Sequence, residues 1–256
     1  MIGSIGEKSP SLTLARLESS TVMANRPVFI PSLSEELLVE TAVVEFDWSA
    51  GMSVQQKQKC IASLHDAASV ELGLSRILEV STKSTNQLGC KLSAFNLMYE
   101  MRDGFQYPLE CIFQSSKVFE KGGPYRDIFY STPLEAKRDE RLKISGELQA
   151  FEAPNGVRWP LQPYTLFYDW LYLNILYRQE KLLKMVLEYD AFTDIEFNPK
   201  KSLNCQAYSV ALLVSLSRRN LLSNALASKD AFTEIVSSHS ISNARVNTLK
   251  EPDLFN

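Results

Sequence analysis

Within the run Tyr107-Pro108-Leu109-Glu110-Cys111-Ile112-Phe113-Gln114-Ser115-Ser116-Lys117-Val118-Phe119-Glu120, a carboxylate, an amide and an amine stand among apolar residues. Pro108 suits the first turn of a helix, and Gly122-Gly123-Pro124 suits a stop near Lys121. In such a helix Glu110, Gln114 and Lys117 stack as i, i+4 and i+7 on one face. Leu109, Phe113, Cys111 and Val118 flank that stripe, with Ile112 and Phe119 behind it. A helix apolar on nearly every side is a buried one, so the stripe is expected to meet partners inside the protein or to line a cavity. There it offers acid–base and amine chemistry. The competing reading is a buried Glu110–Lys117 ion pair with Gln114 satisfying nearby backbone, and spacing alone does not separate the two.

The rest of the composition removes other chemistries. The two histidines, His65 in an expected helix and His239 in a Ser-rich tail, lie near no Ser or Cys nucleophile motif. The cysteines Cys60, Cys90, Cys111 and Cys205 are widely separated with mostly apolar neighbours, which fits buried free thiols in a reducing cytoplasm and no zinc site. No metal or cofactor is expected, and no P-loop or dinucleotide fingerprint is present. A net charge of −3 argues against a strongly basic nucleic-acid coat, while leaving room for a local basic groove. No apolar run approaches the ~18–20 residues that span a bilayer, so no membrane partner is expected.

The elements that must position the run read as an α+β protein, mainly helical with small antiparallel β elements. Residues 1–22 are expected to be a flexible extension or a product of start-codon choice, with Met23 a natural start. Residues 23–80 form a strand and helix segment: strands at Val28–Ile30 and Leu37–Trp48 around the Pro31–Glu36 turn, a helix from Ser53 to Leu72, and a strand at Ile77–Val80. Residues 81–236 form the main domain. Ser81–Gly89 reads as a loop, and Ser93 and Asn96 stand among apolar neighbours. Thr132-Pro133-Leu134-Glu135 caps a helix through Lys143 whose Lys137, Arg138 and Arg141 either form a solvated face or meet a phosphate. Pro154-Asn155-Gly156 joins a hairpin, and an aromatic helix spans Pro163–Arg178. Further helices cover Lys181–Glu188, Ser202–Leu216 and Leu221–Val236, and residues 237–256 form a polar tail.

The order Leu92-Ser93-Ala94-Phe95-Asn96-Leu97, then Tyr107-Pro108, Glu110, Phe113-Gln114 and Lys117-Val118, resembles the YbiA-like or NADAR family, which carries a Ser-Asn-Phe-type segment and a Tyr-Pro-Thr-x-Glu-His-x-x-Gln-x-x-Lys-like helix. Phe119–Tyr125, Phe167–Tyr172 and Phe192–Phe197 are similar to its branch associated with DarT-type toxins. Cys111 stands where many relatives have His, so that His is not required here. The resemblance implies an N-glycosyl hydrolase that removes ADP-ribose from guanine in single-stranded DNA and serves as a cytoplasmic antitoxin to a DarT-type toxin. Its alternatives are an N-glycosidase of small phosphorylated nucleotide or riboflavin-pathway metabolites and a non-catalytic module that binds ADP-ribose or toxin. On the first reading Lys117 and Glu110 are catalytic, with Lys117 either an uncharged Schiff-base nucleophile or an orienter of Glu110. Ser93, Phe95, Asn96 and Gln114 are assigned to the ribose region, and a Trp or Tyr of the aromatic helix, Trp170 first, to a purine pocket. Asp194 or Glu196 is assigned to the distal ribose or base edge, and Asn204 to support of the loop.

Overall fold

The computed structural model describes residues 22–101, 104–199 and 202–242. The expected N-terminal extension, apart from Val22, and the tail beyond residue 242 lie outside them. Two ten-residue strands, β1 (Val22–Pro31) and β2 (Val39–Trp48), pair antiparallel along their whole length around the expected turn. The α1 helix (Val54–Leu72) opens on a capping box between Ser53 and Gln56 and closes at Gly73 in the left-handed region. Cys60, Ile61, Leu64 and Ala68 form its buried stripe and pack with Val28, Val44 and Phe46 of the hairpin. Val28 and Phe29 point to opposite faces, as neighbours on a strand must, so Phe29 joins the main core.

The chain then adds β3 (Ile77–Glu79), α2 (Gln87–Leu92), and a small hairpin of β4 (Met98–Glu100) and β5 (Gln106–Pro108). The α3 helix (Leu109–Ser115) follows, and then β6 (Lys117–Phe119). A 3₁₀ turn at Arg126–Tyr130 leads to α4 (Pro133–Arg138) and α5 (Arg141–Ile144). Next come β7 (Leu148–Glu152), β8 (Arg158–Trp159), α6 (Leu166–Tyr177), α7 (Glu180–Val186) and β9 (Ala191–Thr193). The chain ends with α8 (Gln206–Arg218), α9 (Leu222–Ala225) and α10 (Lys229–Ser237). The α6 and α8 helices are apolar on nearly every side and form the centre of the main core. Ser209 donates to Asp169 at 2.6 Å and ties the two helices together by one of their few buried polar groups. None of the helices among the described residues is long and apolar enough to cross a membrane.

The architecture is α+β, as expected, but its largest sheet is mixed. Its order is β2-β1-β9-β3, with Phe192 of β9 opposite Phe29 on one side and parallel to Leu78 on the other. The boundary expected at residue 80 therefore runs through a single sheet. The antiparallel sheet β6-β7-β8 lies beside α3.

Three expected helices stop early or break. The α3 helix stops at Ser115 rather than near Lys121, because the hydroxyls of Ser115 and Ser116 both donate to the Ile112 carbonyl, at 2.9 and 2.7 Å. The chain beyond them turns extended and pairs with β7. The expected helix to Lys143 breaks at Asp139, whose carboxylate receives the Arg141 backbone and guanidinium. The expected helix from Leu221 breaks into α9 and α10 at Ser228, which caps the second. The start of the expected tail is docked: Ser240 donates to Glu36 and bridges Leu37.

Gly122-Gly123 makes the tight return after β6 instead of stopping a helix. Gly123 has φ of +78°, and a Cβ there lies 2.5 Å from the carbonyl oxygen of Lys117. Gly73→Ala, in the same backbone region but with open space, is expected to cost about 1 kcal/mol. Gly123→Ala is expected to cost about 1–3 kcal/mol more, because backbone must move. Urea unfolding of the two variants checks this, and equal losses would remove the contact from the account.

Candidate active site

A cavity of about 620 Å³ opens where α3, β6, α6 and the loop after β9 converge, a volume suited to a nucleotide-sized ligand. A broader, shallower depression of about 1020 Å³ is lined by Val118, Gln149 and mixed charges including Lys143 and Glu147. Neighbouring strand residues face opposite ways, so Lys117 faces the first cavity and Val118 the second. Only the first gathers the groups that sequence singles out.

Glu110 and Gln114 come from α3, one turn apart, and Gln114 Nε2 donates to Glu110 Oε1 at 2.9 Å. The Glu110 backbone is fixed in turn by donation to the Ala94 carbonyl. Lys117 joins them from β6 and not from the same helix, so the sequence brings the trio together by a helix followed at once by a strand. Its ammonium lies 5.3 Å from the centre of the Phe113 ring. Burial lowers the Lys117 pKa to about 8, against the opposing charge of Glu110 and with the help of nearby Lys137. The described ion pairs, taken to 4.0 Å, do not include Lys117, so the closed Glu110–Lys117 pair weighed from spacing is not formed.

Two acceptors on the wall have no partner among the described residues. Gln114 Oε1 and Asn204 Oδ1 are buried without a hydrogen bond, and both residues line the cavity. Buried acceptors are nearly always satisfied, so a ligand bearing hydroxyl or N–H donors fits this wall. Ser93 lines it too, with its hydroxyl turned back onto the Cys90 carbonyl. Phe95 lines it with the Lys137 ammonium 5.8 Å from its ring centre.

The loop after β9 supplies both expected carboxylates. Asp194 is buried, and its Oδ1 accepts from the backbone N–H groups of Glu196 and Phe197 at 3.0 and 3.1 Å. Burial and the neighbouring charge of Glu79 push it well above the usual carboxylate range. Glu196 is exposed at the rim and accepts from the Thr82 hydroxyl at 3.2 Å.

Asn96 and Trp170 are not among the lining residues. Asn96 donates to the Cys90 carbonyl and closes the turn after α2, the role its residue type favours locally. Trp170 packs 4.8 Å from Trp159, whereas Tyr168 lines the cavity. Two residues correspond to about 200° around a helix, so both rings cannot share a face.

Sequence reading missed Gln206 as a strut. Gln206 accepts from the Ala94 N–H at 2.7 Å and donates to the Val80 carbonyl at 2.6 Å, joining three segments of the wall. Of the cations on the expected solvated helix, Lys137 lines the cavity, while Arg141 is engaged by Asp127 and Asp139 at 2.6 and 2.7 Å.

The cavity thus holds an amine of lowered basicity, a carboxylate oriented by an amide, and unpaired acceptors between aromatic rings. A family model described as the DarT1-associated NADAR antitoxin matches residues 24–246, which include every one of these groups. No curated protein matches the chain.

Proposed function

Since this chain belongs to the DarT1-associated NADAR antitoxin family, we propose that it reverses the toxin's modification by hydrolysing ADP-ribose from guanine in single-stranded DNA. The observation that carries the reading is the half-buried Lys117, its amine pKa lowered to about 8 by desolvation, sharing one cavity with Glu110.

A ribose joined through C1 to an exocyclic guanine amine opens to an imine, the exocyclic N–H proton passing to the ring oxygen as its bond to C1 breaks. The neutral Lys117 Nζ then adds to C1. Two protons pass in turn from Nζ to the guanine nitrogen through Glu110, the C1–guanine bond breaks, and the base leaves as its ordinary amine. A lysine imine remains on C1, and water hydrolyses it to free ADP-ribose and the original amine. Gln114 holds the Glu110 carboxylate in place for both proton transfers. Its unpaired Oε1 and the unpaired Oδ1 of Asn204 suit ribose hydroxyls, and Lys137 at the wall suits a phosphate.

The test is release of ADP-ribose from a guanine-ADP-ribosylated single-stranded oligonucleotide, run with and without borohydride. Turnover, and a reduced protein–ADP-ribose adduct on Lys117 seen by intact and peptide mass, support the reading. Failure of well-folded protein to release ADP-ribose sinks it.

The reaction needs the amine uncharged, so kcat/KM is expected to rise with pH to a plateau, with a midpoint near 8. At pH 7 about a tenth of Lys117 is in the reactive form. Lys137 contributes to lowering the Lys117 pKa. Lys137→Met is therefore expected to move the midpoint upward, and a midpoint that stays or falls would separate Lys137 from Lys117.

A further inference from the structure

Beneath the cavity lies a buried polar chain that the mechanism does not use. Glu79 Oε2 accepts from the Thr193 hydroxyl at 2.7 Å, and Glu79 Oε1 accepts from the Ile195 N–H at 2.9 Å. One carboxylate therefore grips the residues on both sides of Asp194. Thr193 spends its only hydroxyl proton on Glu79, so the 2.8 Å contact with His65 has the ring Nε2–H donating to Thr193. Burial lowers the His65 pKa to about 4, so above that pH the ring is neutral. The chain starts on α1, crosses β9 and β3, and ends under a cavity-lining carboxyl.

Glu79 at the end of β3 and Asp194 just after β9 are both buried, and like charges in one dry site disfavour ionising both. Burial raises Glu79, but hydrogen bonds from Ser81, Ile195 and Thr193 pull it back toward its charged form. Asp194 is raised well above its ordinary range by burial and by the Glu79 charge. Glu196 on its own loop pushes the same way, as a like charge. Arg26 from β1 pulls the other way, and Tyr168 and Tyr172 from α6 stay protonated facing it.

We infer that Asp194 meets the ligand as an uncharged carboxylic acid, a hydrogen-bond donor to an oxygen of a phosphorylated nucleoside, and that buried Glu79 is the positioning residue that keeps it so. Its two neighbours in charge, Glu110 and Glu196, already place negative charge on the wall. A third anion there would repel phosphate, whereas a neutral acid binds it. Asp194 Oδ1 accepts from two backbone N–H groups, and the Gln206 side chain also hydrogen-bonds Asp194 and pulls it toward its charged form, a pull that burial and the Glu79 charge outweigh.

The ligand part of this inference rests on the function proposed above; the protonation state does not. Infrared difference spectra of wild type against Asp194→Asn at pH 7 are expected to contain a protonated carboxyl band that belongs to Asp194. Glu79→Gln is expected to weaken that band and move its loss to lower pH, because the buried charge opposing ionisation is gone. Absence of the band in wild type, or its indifference to Glu79→Gln, overturns the inference whatever the ligand. ADP-ribose is the binding probe. Asp194→Asn, which keeps a donor, is expected to bind it within about threefold of wild type, and Asp194→Ala about tenfold more weakly. Raising the pH through the loss of the band weakens wild-type binding but not that of Asp194→Asn. Equal losses for the Asn and Ala variants overturn the donor role. A band in a wild type that binds no ADP-ribose overturns the choice of ligand, and with it the proposed function, while the protonation state stands.

Discussion

Lys117→Met is expected to lower ADP-ribose release from modified guanine by at least about a thousandfold, with folding intact. Methionine has nearly the volume of the lysine stem and keeps the contact with Phe113, so little packing is lost. The variant also removes an amine that the site holds at a cost to its charged form, so its thermal midpoint should equal or exceed that of wild type at neutral pH. Loss of activity without loss of stability separates chemistry from scaffolding. Lys117→Arg is a sharper companion, since it keeps a cation but cannot lose its proton. Single-turnover assays of both variants, with borohydride trapping, should yield neither release nor adduct. Substantial activity in the Arg variant would rule out a neutral nucleophile and return Lys117 to an electrostatic role.

Glu110→Gln is expected to lower release by about a hundredfold to ten-thousandfold, the usual range for a lost proton shuttle. The amide can still accept from Gln114 through its oxygen, so the local hydrogen bond survives the change. The defect should lie in expelling guanine rather than in forming the lysine imine. Free ADP-ribose presents its own C1 aldehyde, with no base to expel. Borohydride should therefore still attach it to Lys117 in the Glu110→Gln protein, while the modified oligonucleotide leaves little adduct. Equal loss of labelling from both substrates would mean that Glu110 supports binding or the amine itself.

Much of this site was visible in the sequence as residue types, and less as geometry. Glu110 and Gln114 were readable because an i, i+4 spacing inside one helix needs nothing but local periodicity. Lys117 reaches the same cavity by a different path. Ser115 and Ser116 end the helix by competing for a carbonyl, a choice that helical periodicity does not encode. The hairpin of β1 and β2, the Ser53 and Thr132 caps and the Pro154-Asn155-Gly156 turn followed from signals that act over a few residues. The mixed sheet did not, because β9 is only three residues long and its pairing with β1 and β3 spans most of the chain. For the same reason Glu79 and Thr193 carried no sequence mark. Each becomes noteworthy only when that sheet sets them side by side. The misreading of Trp170 was rotational: it marked the right helix and the wrong face.

The sheet order β2-β1-β9-β3 also sets a timetable for synthesis. The first hairpin leaves the ribosome early, yet the strand that covers its open edge contains Phe192 and comes near the end. At about 5–20 residues per second, the wait is on the order of ten seconds or more. Asp194 and Asn204 are made later still, so the cavity assembles as one late event once α8 has emerged.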